Sequence, residues 1–205
     1  MSNPEPLQYG KVYHVYNRGN NGENLFIEAR NYRYFLRLYI KHVHPVVDTY
    51  AYCLLRNHFH LLVRVKTEAE VRGVTGPMGT SDASLSGLKP PSRYFSNLFN
   101  AYAKAINKAY ERTGALFERP FRRIEVADPA YFAHLVTYIH RNPELHGFVG
   151  DFREWAHSSY GALCGRKPTR VQRDVVLDWF DSPEAFRSAQ QTAVALDAPL
   201  TLEEI

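Results

Sequence analysis

The chain has 205 residues, of which 45% are apolar, 22% charged and 14% aromatic; this globular composition excludes wholesale disorder, collagen-like repeats and low-complexity scaffolds. The formal net charge of +4 is unevenly distributed, because residues 174–205 contain seven acidic residues and one basic residue and so leave +10 on residues 1–173. A basic body with an acidic end suits a polyanionic partner, most simply nucleic acid, although an ordinary solvated surface with a frayed end explains the charges equally well.

The N-terminal residues 1–8 are predicted to be an extension that precedes the folded domain. They have neither the basic start nor the apolar core of a secretory signal, and no apolar stretch approaches the roughly 18 residues that span a bilayer. The two cysteines, Cys53 and Cys164, are too few for a disulfide framework. A cytoplasmic protein without membrane attachment is therefore expected.

The first half of the chain predicts a strand, a helix and a hairpin. Residues 11–18 alternate with the period of two that is typical of a strand. Residues 46–55 and 58–65 are rich in β-branched and aromatic residues, and the turn between them is placed at Arg56-Asn57. Residues 28–43 predict an amphipathic helix whose inward face is Tyr32, Phe35, Leu36, Tyr39, Ile40 and Val43.

The middle of the chain begins with residues 67–91, which contain four glycines, three prolines and no aromatic residue. This composition predicts a mobile loop, and its length suggests a functional flap; a linker between two domains is the alternative. Residues 92–112 predict a second amphipathic helix, with an inward face made of Phe95, Leu98, Phe99, Tyr102, Ile106 and Tyr110.

The remaining predicted elements are a strand and two helices. Residues 115–126 are expected to be extended, and Pro120 places this strand at an edge of the sheet or at a bulge. Asp128-Pro129 is an N-cap followed by proline at the first helical position, so a helix is predicted over 130–141, ending before the next proline. Residues 174–190 are a candidate for one more helix.

The order strand, helix, hairpin, helix, strand, helix predicts the fold class. Sequential strands joined by a hairpin favour an antiparallel sheet with helices on one or both faces, which is an α+β domain. The natural topology for this order is ferredoxin-like.

The clearest chemical signal is Asn57-His58-Phe59-His60, at the start of the second hairpin strand. Because side chains alternate across a strand, His58 and His60 point to one face with Cβ atoms about 6.5–7 Å apart. Two imidazoles at this spacing can converge on one metal ion if a third ligand comes from elsewhere, although most such pairs are not metal sites. In an apolar strand two half-buried imidazoles need polar partners, which favours the metal hypothesis.

A second signal lies at the end of the predicted helix 130–141. Tyr138 and Asn142 are four residues apart and therefore share a helix face, which His134 extends by one turn. Tyr138 is a candidate nucleophile and Asn142 a candidate oxygen ligand. The alternative, a core tyrosine and an asparagine that ends the helix before Pro143, explains this segment better when it is taken alone. That alternative weakens if the two histidines face the helix.

Together these residues resemble the HUH endonuclease superfamily, and within it the single-tyrosine bacterial transposases and the REP-associated tyrosine transposases. The matching segments are YHVYNRG at 13–19, AYCLLRNHFHLLV at 51–63, GALFERPF at 114–121, TYIHRNP with HGFV at 137–149, and WAHSSY at 155–160. The resemblance implies a HUH catalytic domain with an RRM-like, ferredoxin-like fold over residues 9–165. Residues 166–205 would then be an acidic C-terminal tail.

The resemblance also implies roles for individual residues. His58 and His60 would be the metal ligands, and Tyr138 would be the nucleophile. Asn142 takes the place where relatives carry glutamine or another polar third ligand, and its shorter amide leaves room for an intervening water. The implied cofactor is a divalent metal ion, Mn²⁺ or Mg²⁺, and two imidazoles with an amide suit an ion softer than Mg²⁺.

The implied reaction is metal-dependent nicking and strand transfer on single-stranded DNA near a hairpin, through a 5′-phosphotyrosine and without a nucleotide cofactor. A tyrosine titrates near pH ~10 when unperturbed, so His134 and His140 are candidates for helping the nucleophile to lose its proton. The predicted nucleic-acid-binding residues form the densest basic cluster in the sequence: Arg93, Lys104, Lys108, Arg119, Arg122 and Arg123. Four aromatic residues lie among them, and although they are candidates for stacking on splayed bases, a place in the core is favoured: Tyr94, Phe95, Phe117 and Phe121.

Three other functions remain open at this point. One is a replication or mobilisation initiator of the same superfamily, and another is a catalytically silent protein that binds hairpin DNA. The third is an unrelated metallohydrolase that uses the histidine pair. The resemblance is compatible with either a monomer or a homodimer, and the acidic tail is expected to restrain activity by lying over the basic surface.

Overall fold

Four strands form one antiparallel sheet in the computed structural model, which describes residues 5–75 and 88–191. In the spatial order β2-β3-β1-β4, the strands are β1 (Val12–Arg18), β2 (Val47–Leu54), β3 (His58–Val65) and β4 (Arg122–Glu125). This order results when two strand–helix–strand units interlock around a central hairpin, which is the ferredoxin-like topology. The predicted α+β class and topology are therefore confirmed.

Helices cover both faces of the sheet. Those of the described residues are α1 (Ala29–His42), α2 (Glu68–Thr75), α3 (Pro91–Ala109), α4 (Pro129–Leu145), α5 (Tyr160–Cys164), α6 (Arg173–Asp178) and α7 (Pro183–Gln191). Within these ranges no helix has both the length and the apolar character that crossing a bilayer requires.

The alternation of side chains along β3 divides the core into two layers. Phe59, Leu61 and Val63 belong to the layer under α1 and α3, whereas Leu62 belongs to the layer under α4. Because odd and even positions of a strand point to opposite faces, His58 and His60 lie on the α4 side. The histidine pair and the helix that carries Tyr138 are thus on the same face of the sheet.

The inward face of α1 differs from the prediction at two positions. Leu38 is buried, whereas Ile40 is 39% exposed. The helix is rotated so that the flank containing Asn31, Phe35 and Leu38 contacts the core, and the flank containing Ile40 faces solvent.

The predicted loop 67–91 is helical over its first third, where α2 forms. A reciprocal pair of hydrogen bonds begins this helix: Thr67 N donates to Glu70 Oε2 (2.6 Å) and Glu70 N donates to Thr67 Oγ1 (3.3 Å). This is a capping box, and the spacing Thr67-x-x-Glu70 is typical of one. The glycines and prolines of residues 67–91 suggested a loop throughout, because they outweighed this short motif. Residues 76–87 of the predicted loop lie outside the described residues.

Helix α4 begins as predicted but ends later. The side chain of Asp128 accepts a hydrogen bond from Ala130 N (2.9 Å), as expected of an N-cap. The helix does not end before Pro143; it continues through that residue to Leu145, because a proline in the last turn sacrifices only one backbone hydrogen bond. Asn142 therefore stays on the helix, one turn beyond Tyr138.

The last part of the described chain packs against the domain. The predicted helix 174–190 is two helices, α6 and α7, separated by Asp181 in the left-handed region (φ 63°). Phe180 and Phe186 are buried in the core layer under α4. The described residues of the segment predicted to be an acidic tail are therefore part of the packed structure.

Strand β4 covers only the end of the predicted strand 115–126, and it lies at the edge of the sheet, as Pro120 suggested. Before β4 the segment makes one isolated bridge, between Phe117 and Gly19. Residues 114–121 lie beside α3, and together they line a cavity.

Candidate active site

The two histidines of β3 converge under α4. His58 is 4% exposed and His60 is fully buried, and their ring centroids are 5.2 Å apart with the planes nearly perpendicular. His58 and His60 lie on one face of the sheet, as predicted.

Helix α4 brings Tyr138 and Asn142 to the same place. The ring of Tyr138 packs edge-on against the ring of His60, with 5.6 Å between centroids. Asn142 Oδ1 lies 3.2 Å from His58 Nε2, and Asn142 Nδ2 donates to the carbonyl of Tyr138 (3.4 Å). The four residues predicted from two distant segments of the sequence thus form one cluster.

Each histidine has a further partner on its other ring nitrogen. His60 Nδ1 lies 2.9 Å from Nε2 of His14, a fully buried residue of β1. His58 Nδ1 lies 2.8 Å from Asn57 Oδ1. Contacts of this kind fix the orientation and the tautomer of metal-binding imidazoles in proteins.

The contacts of His58 require more protons than a neutral ring carries. Burial lowers the pKa of His58 to about 4, so the ring is neutral at pH ~7 and holds one N–H. Asn57 Oδ1 and Asn142 Oδ1 are both acceptors, so one ring proton satisfies only one of the two contacts. In the tautomer that donates from Nδ1 to Asn57, His58 Nε2 and Asn142 Oδ1 face each other as two acceptors, an arrangement that a cation between them would stabilise.

His60 supplies a third acceptor. Its Nε2 is buried and has no hydrogen-bond partner among the described residues. If His60 Nδ1 donates its proton to His14 Nε2, the lone pair of Nε2 is free to bind a cation. Burial lowers the pKa of both rings, that of His14 to about 3, which keeps the pair neutral.

The donor set therefore fits a divalent metal ion held by two imidazoles and one amide oxygen. Within residues 5–75 and 88–191 no group of three or more His, Cys, Asp or Glu side chains is placed to hold a metal. The third protein ligand would accordingly be Asn142. Nitrogen-rich sets of this kind suit Mn²⁺ better than Mg²⁺, which prefers oxygen ligands and retains its water.

Tyr138 is closed off from solvent. The residue is 1% exposed, and its hydroxyl is buried with no hydrogen-bond partner among the described residues. Burial raises the pKa of this hydroxyl, and the nearby Asn142 side chain offsets only part of that effect. A phosphate in solvent cannot reach this oxygen while α4 lies against the sheet.

Neither predicted proton-transfer helper contacts Tyr138. His134 is exposed on α4, and the Tyr138 hydroxyl has no hydrogen bond to it or to any other described residue. His140 is fully buried elsewhere, with Nδ1 2.8 Å from Gln190 Oε1 and Nε2 2.8 Å from Ser159 Oγ. Successive helix positions point in different directions, so His140, two residues after Tyr138, faces away and ties α7 to α4.

The six predicted nucleic-acid-binding residues do not form one cluster. Arg93, Arg119 and Arg123 line a cavity beside α3. Arg122 is opposite Tyr16 on the adjacent strand, and so lies on the α4 face of the sheet. Lys104 and Lys108 are exposed on α3 and do not line the cavity.

Sequence reasoning missed three aromatic side chains at the site. His14 and Tyr16 point to the same face of β1, and their rings lie 5.1 and 5.9 Å from that of His60. His146 is exposed, and its ring lies 4.7 Å from that of His58. The alternation of His14 and Tyr16 was visible in the sequence, but only the pairing of β1 with β3 places them beside the histidine pair.

Comparison with known proteins finds a solved structure of similar fold but no relative in sequence. No protein-family model matches the chain, and no curated protein is similar to it in sequence. Among solved structures, the chain is similar to one described as a REP-associated tyrosine transposase bound to a REP hairpin. The TM-score is 0.56 over 82% of this chain and 88% of that chain, with 16% sequence identity. At this identity the likeness establishes a shared fold.

Proposed function

We propose that the protein is a metal-dependent endonuclease and strand transferase that acts on single-stranded DNA beside a hairpin. The observation that carries the proposal is the convergence of His58, His60, Asn142 and Tyr138 on one face of the sheet. The fold shared with a transposase bound to a DNA hairpin and the basic charge of residues 1–173 support it.

In the proposed reaction the Tyr138 hydroxyl oxygen attacks a DNA phosphorus atom. An O–P bond to tyrosine forms as the P–O3′ bond breaks, which leaves a 5′-phosphotyrosine and a free 3′-hydroxyl. The proton lost by Tyr138 is balanced by the proton that the 3′ oxygen gains. One phosphodiester is exchanged for another, so rejoining needs no nucleotide cofactor.

His58, His60 and Asn142 would hold the divalent ion of the proposed reaction. When bound, such an ion polarises the scissile phosphate and neutralises the charge that develops on it. His14 orients the His60 imidazole and Asn57 orients the His58 imidazole, in each case through the Nδ1 atom of the ligand ring. Because Tyr138 is enclosed in this structure, the reaction also requires α4 to open away from the sheet when DNA binds.

A cleavage assay tests the proposed function. The substrates are end-labelled hairpin DNA with single-stranded flanks and a fully paired duplex of the same sequence, each with Mn²⁺ or with EDTA. We expect nicks only in the single-stranded flank of the hairpin and only with Mn²⁺. Cleavage that persists in EDTA, or that occurs equally in the duplex, would contradict the proposal.

The enclosure of Tyr138 favours one alternative, a hairpin-binding protein without catalytic activity. A buried hydroxyl with a raised pKa is a poor nucleophile unless its surroundings change. Binding of a broad pool of hairpins with Mn²⁺ present and no nick in any of them would support this alternative.

The contact between His14 and His60 predicts that His14 positions a metal ligand. Replacing His14 by Phe keeps the ring but removes the acceptor for His60 Nδ1–H, so we expect Mn²⁺ affinity measured by calorimetry to fall about 10- to 100-fold. His14→Gln keeps an acceptor oxygen and should recover part of the loss. His134→Phe, at an exposed histidine, is the control, and equal affinity of His14→Phe and wild type would refute the role.

A further inference from the structure

A concave surface lies on the face of the sheet opposite the histidine pair. It is a cavity of about 610 Å³ between α3 and the segment 114–121, and Asn17 of β1 also lines it. Asn17 is paired with Phe59 of β3, the residue between His58 and His60 that points the other way. The cavity therefore lies behind the candidate active site, at the same end of the strands.

The inner wall of this cavity is aromatic. Phe99, Phe117 and Phe121 line it and remain 6 to 8% exposed. The ring of Phe99 lies 5.1 Å from that of Phe117 and 5.3 Å from that of Phe121. The Phe121 ring is already covered, because Phe95 stacks on it (5.6 Å) and the Arg123 guanidinium lies over it (4.7 Å), so Phe99 and Phe117 are the rings left for a ligand. Ser96 and Asn100 supply polar groups on the α3 side. This combination suits a planar, partly polar ring such as a nucleobase.

The rim of the cavity is positively charged. Arg93 on α3 and Arg119 on the segment 114–121 are both exposed and line it. Neither has an ion-pair partner in the part of the chain that the structure describes. The acidic residue of the lining, Glu118, is neutralised by Arg18 at 2.5 Å and by Arg122 at 4.0 Å. The rim therefore attracts an anion such as a phosphate.

Basic residues also connect the cavity to the active site around the sheet edge. Arg122 and Arg123 are consecutive on the edge strand β4, so their side chains point to opposite faces. Arg123 lines the cavity, whereas Arg122 is opposite Tyr16, whose ring stacks 5.9 Å from His60. Arg122 also lies 4.0 Å from Glu118, and Arg123 Nε donates to the carbonyl of Glu5 (2.6 Å), so both guanidinium groups are held at this edge between the two faces.

We propose that this cavity binds one unpaired nucleotide of the DNA strand that is cleaved at Tyr138. Its base lies on Phe99 and Phe117, and its phosphate lies between Arg93 and Arg119. The inference rests on the proposed function for the identity of the strand. The lining favours a nucleotide, because aromatic rings on which a base can stack lie beside arginines that bind a phosphate.

Binding measured without cleavage tests the inference. Fluorescence anisotropy in EDTA compares a labelled blunt hairpin with the same hairpin carrying a short single-stranded extension, and with a series in which each extension position in turn is abasic. Stacking of one base on an aromatic wall contributes about 1–3 kcal/mol, so we expect one abasic position to weaken binding about 5- to 150-fold. The other positions should change affinity little.

The variants separate the cavity from the general charge of the surface. Ala103→Phe fills the cavity without changing charge, and Arg119→Gln removes a rim cation at an exposed position where folding is not at risk. Both should abolish the advantage of the extended hairpin over the blunt one. Lys104→Gln, on α3 but outside the cavity, is the matched control and should lower the affinity for both DNAs by the same factor.

Several outcomes would overturn the inference. These are equal binding of blunt and extended hairpins by wild type, an abasic series without a sensitive position, or cavity variants that behave like Lys104→Gln. Tight binding of a free deoxynucleoside monophosphate with no gain from a strand would instead make the cavity a small-molecule site. If one abasic position weakens binding but no DNA is nicked in Mn²⁺, the assignment of the cavity as a nucleotide site stands, and only the proposed function is refuted.

Discussion

Tyr138→Phe is expected to abolish cleavage while leaving the fold and hairpin binding intact. The substitution removes only the hydroxyl that attacks the phosphate in the proposed reaction, so the nicking rate should fall about 10³-fold or more. The hydroxyl has no hydrogen-bond partner among the described residues, so its removal should leave the free energy of unfolding unchanged or slightly higher. Nicking rates, hairpin affinity and urea unfolding measure the three effects.

Tyr131 provides a matched control for this substitution. It lies on the same helix, α4, and its hydroxyl is also buried without a partner in the described residues. Tyr131→Phe should therefore change stability in the same direction and leave the nicking rate close to that of wild type. Wild-type nicking by Tyr138→Phe would exclude Tyr138 as the nucleophile and would favour a metallohydrolase that uses only the histidine pair.

His60→Gln is expected to remove both the metal response and cleavage. A ligand that binds only the folded state at 100 times its Kd stabilises that state by about 2.7 kcal/mol, which for a domain of about 200 residues raises Tm by roughly 5–11 °C. Wild type should show this rise with Mn²⁺. His60→Gln should show none, because His60 Nε2 is the buried acceptor left without a partner.

The metal response is measured against each variant's own Tm without metal, so a loss of stability caused by the substitution itself cancels. His134→Gln, at an exposed position of α4, should keep both the Mn²⁺-induced rise and cleavage. A full Tm rise in His60→Gln would show that the ion binds elsewhere, and would remove the basis of the proposed metal site.

Local periodicity was enough to predict most of the fold, whereas a joint site of His58, His60, Tyr138 and Asn142 was implied by the family resemblance. The period of two placed His58 and His60 on one face, and the spacing of four placed Tyr138 and Asn142 on another. The order of strands and helices restricted the topology to the arrangement observed, in which those two faces meet.

Other features of the site depend on tertiary contacts that no local pattern contains. His14 reaches His60 only because the register of β1 and β3 places Tyr16 opposite His60 and His14 diagonally beyond it. The enclosure of Tyr138 depends on how closely α4 packs against the sheet.

Mass spectrometric location of a covalent protein–DNA adduct tests directly whether Tyr138 is the nucleophile. Wild type is incubated with hairpin DNA and Mn²⁺, denatured and digested, and the peptide that carries a nucleotide is identified. The proposed reaction predicts a 5′-phosphotyrosine on Tyr138 that is absent in EDTA and absent from Tyr138→Phe. An adduct on another residue, or nicked DNA with no adduct at all, would contradict it.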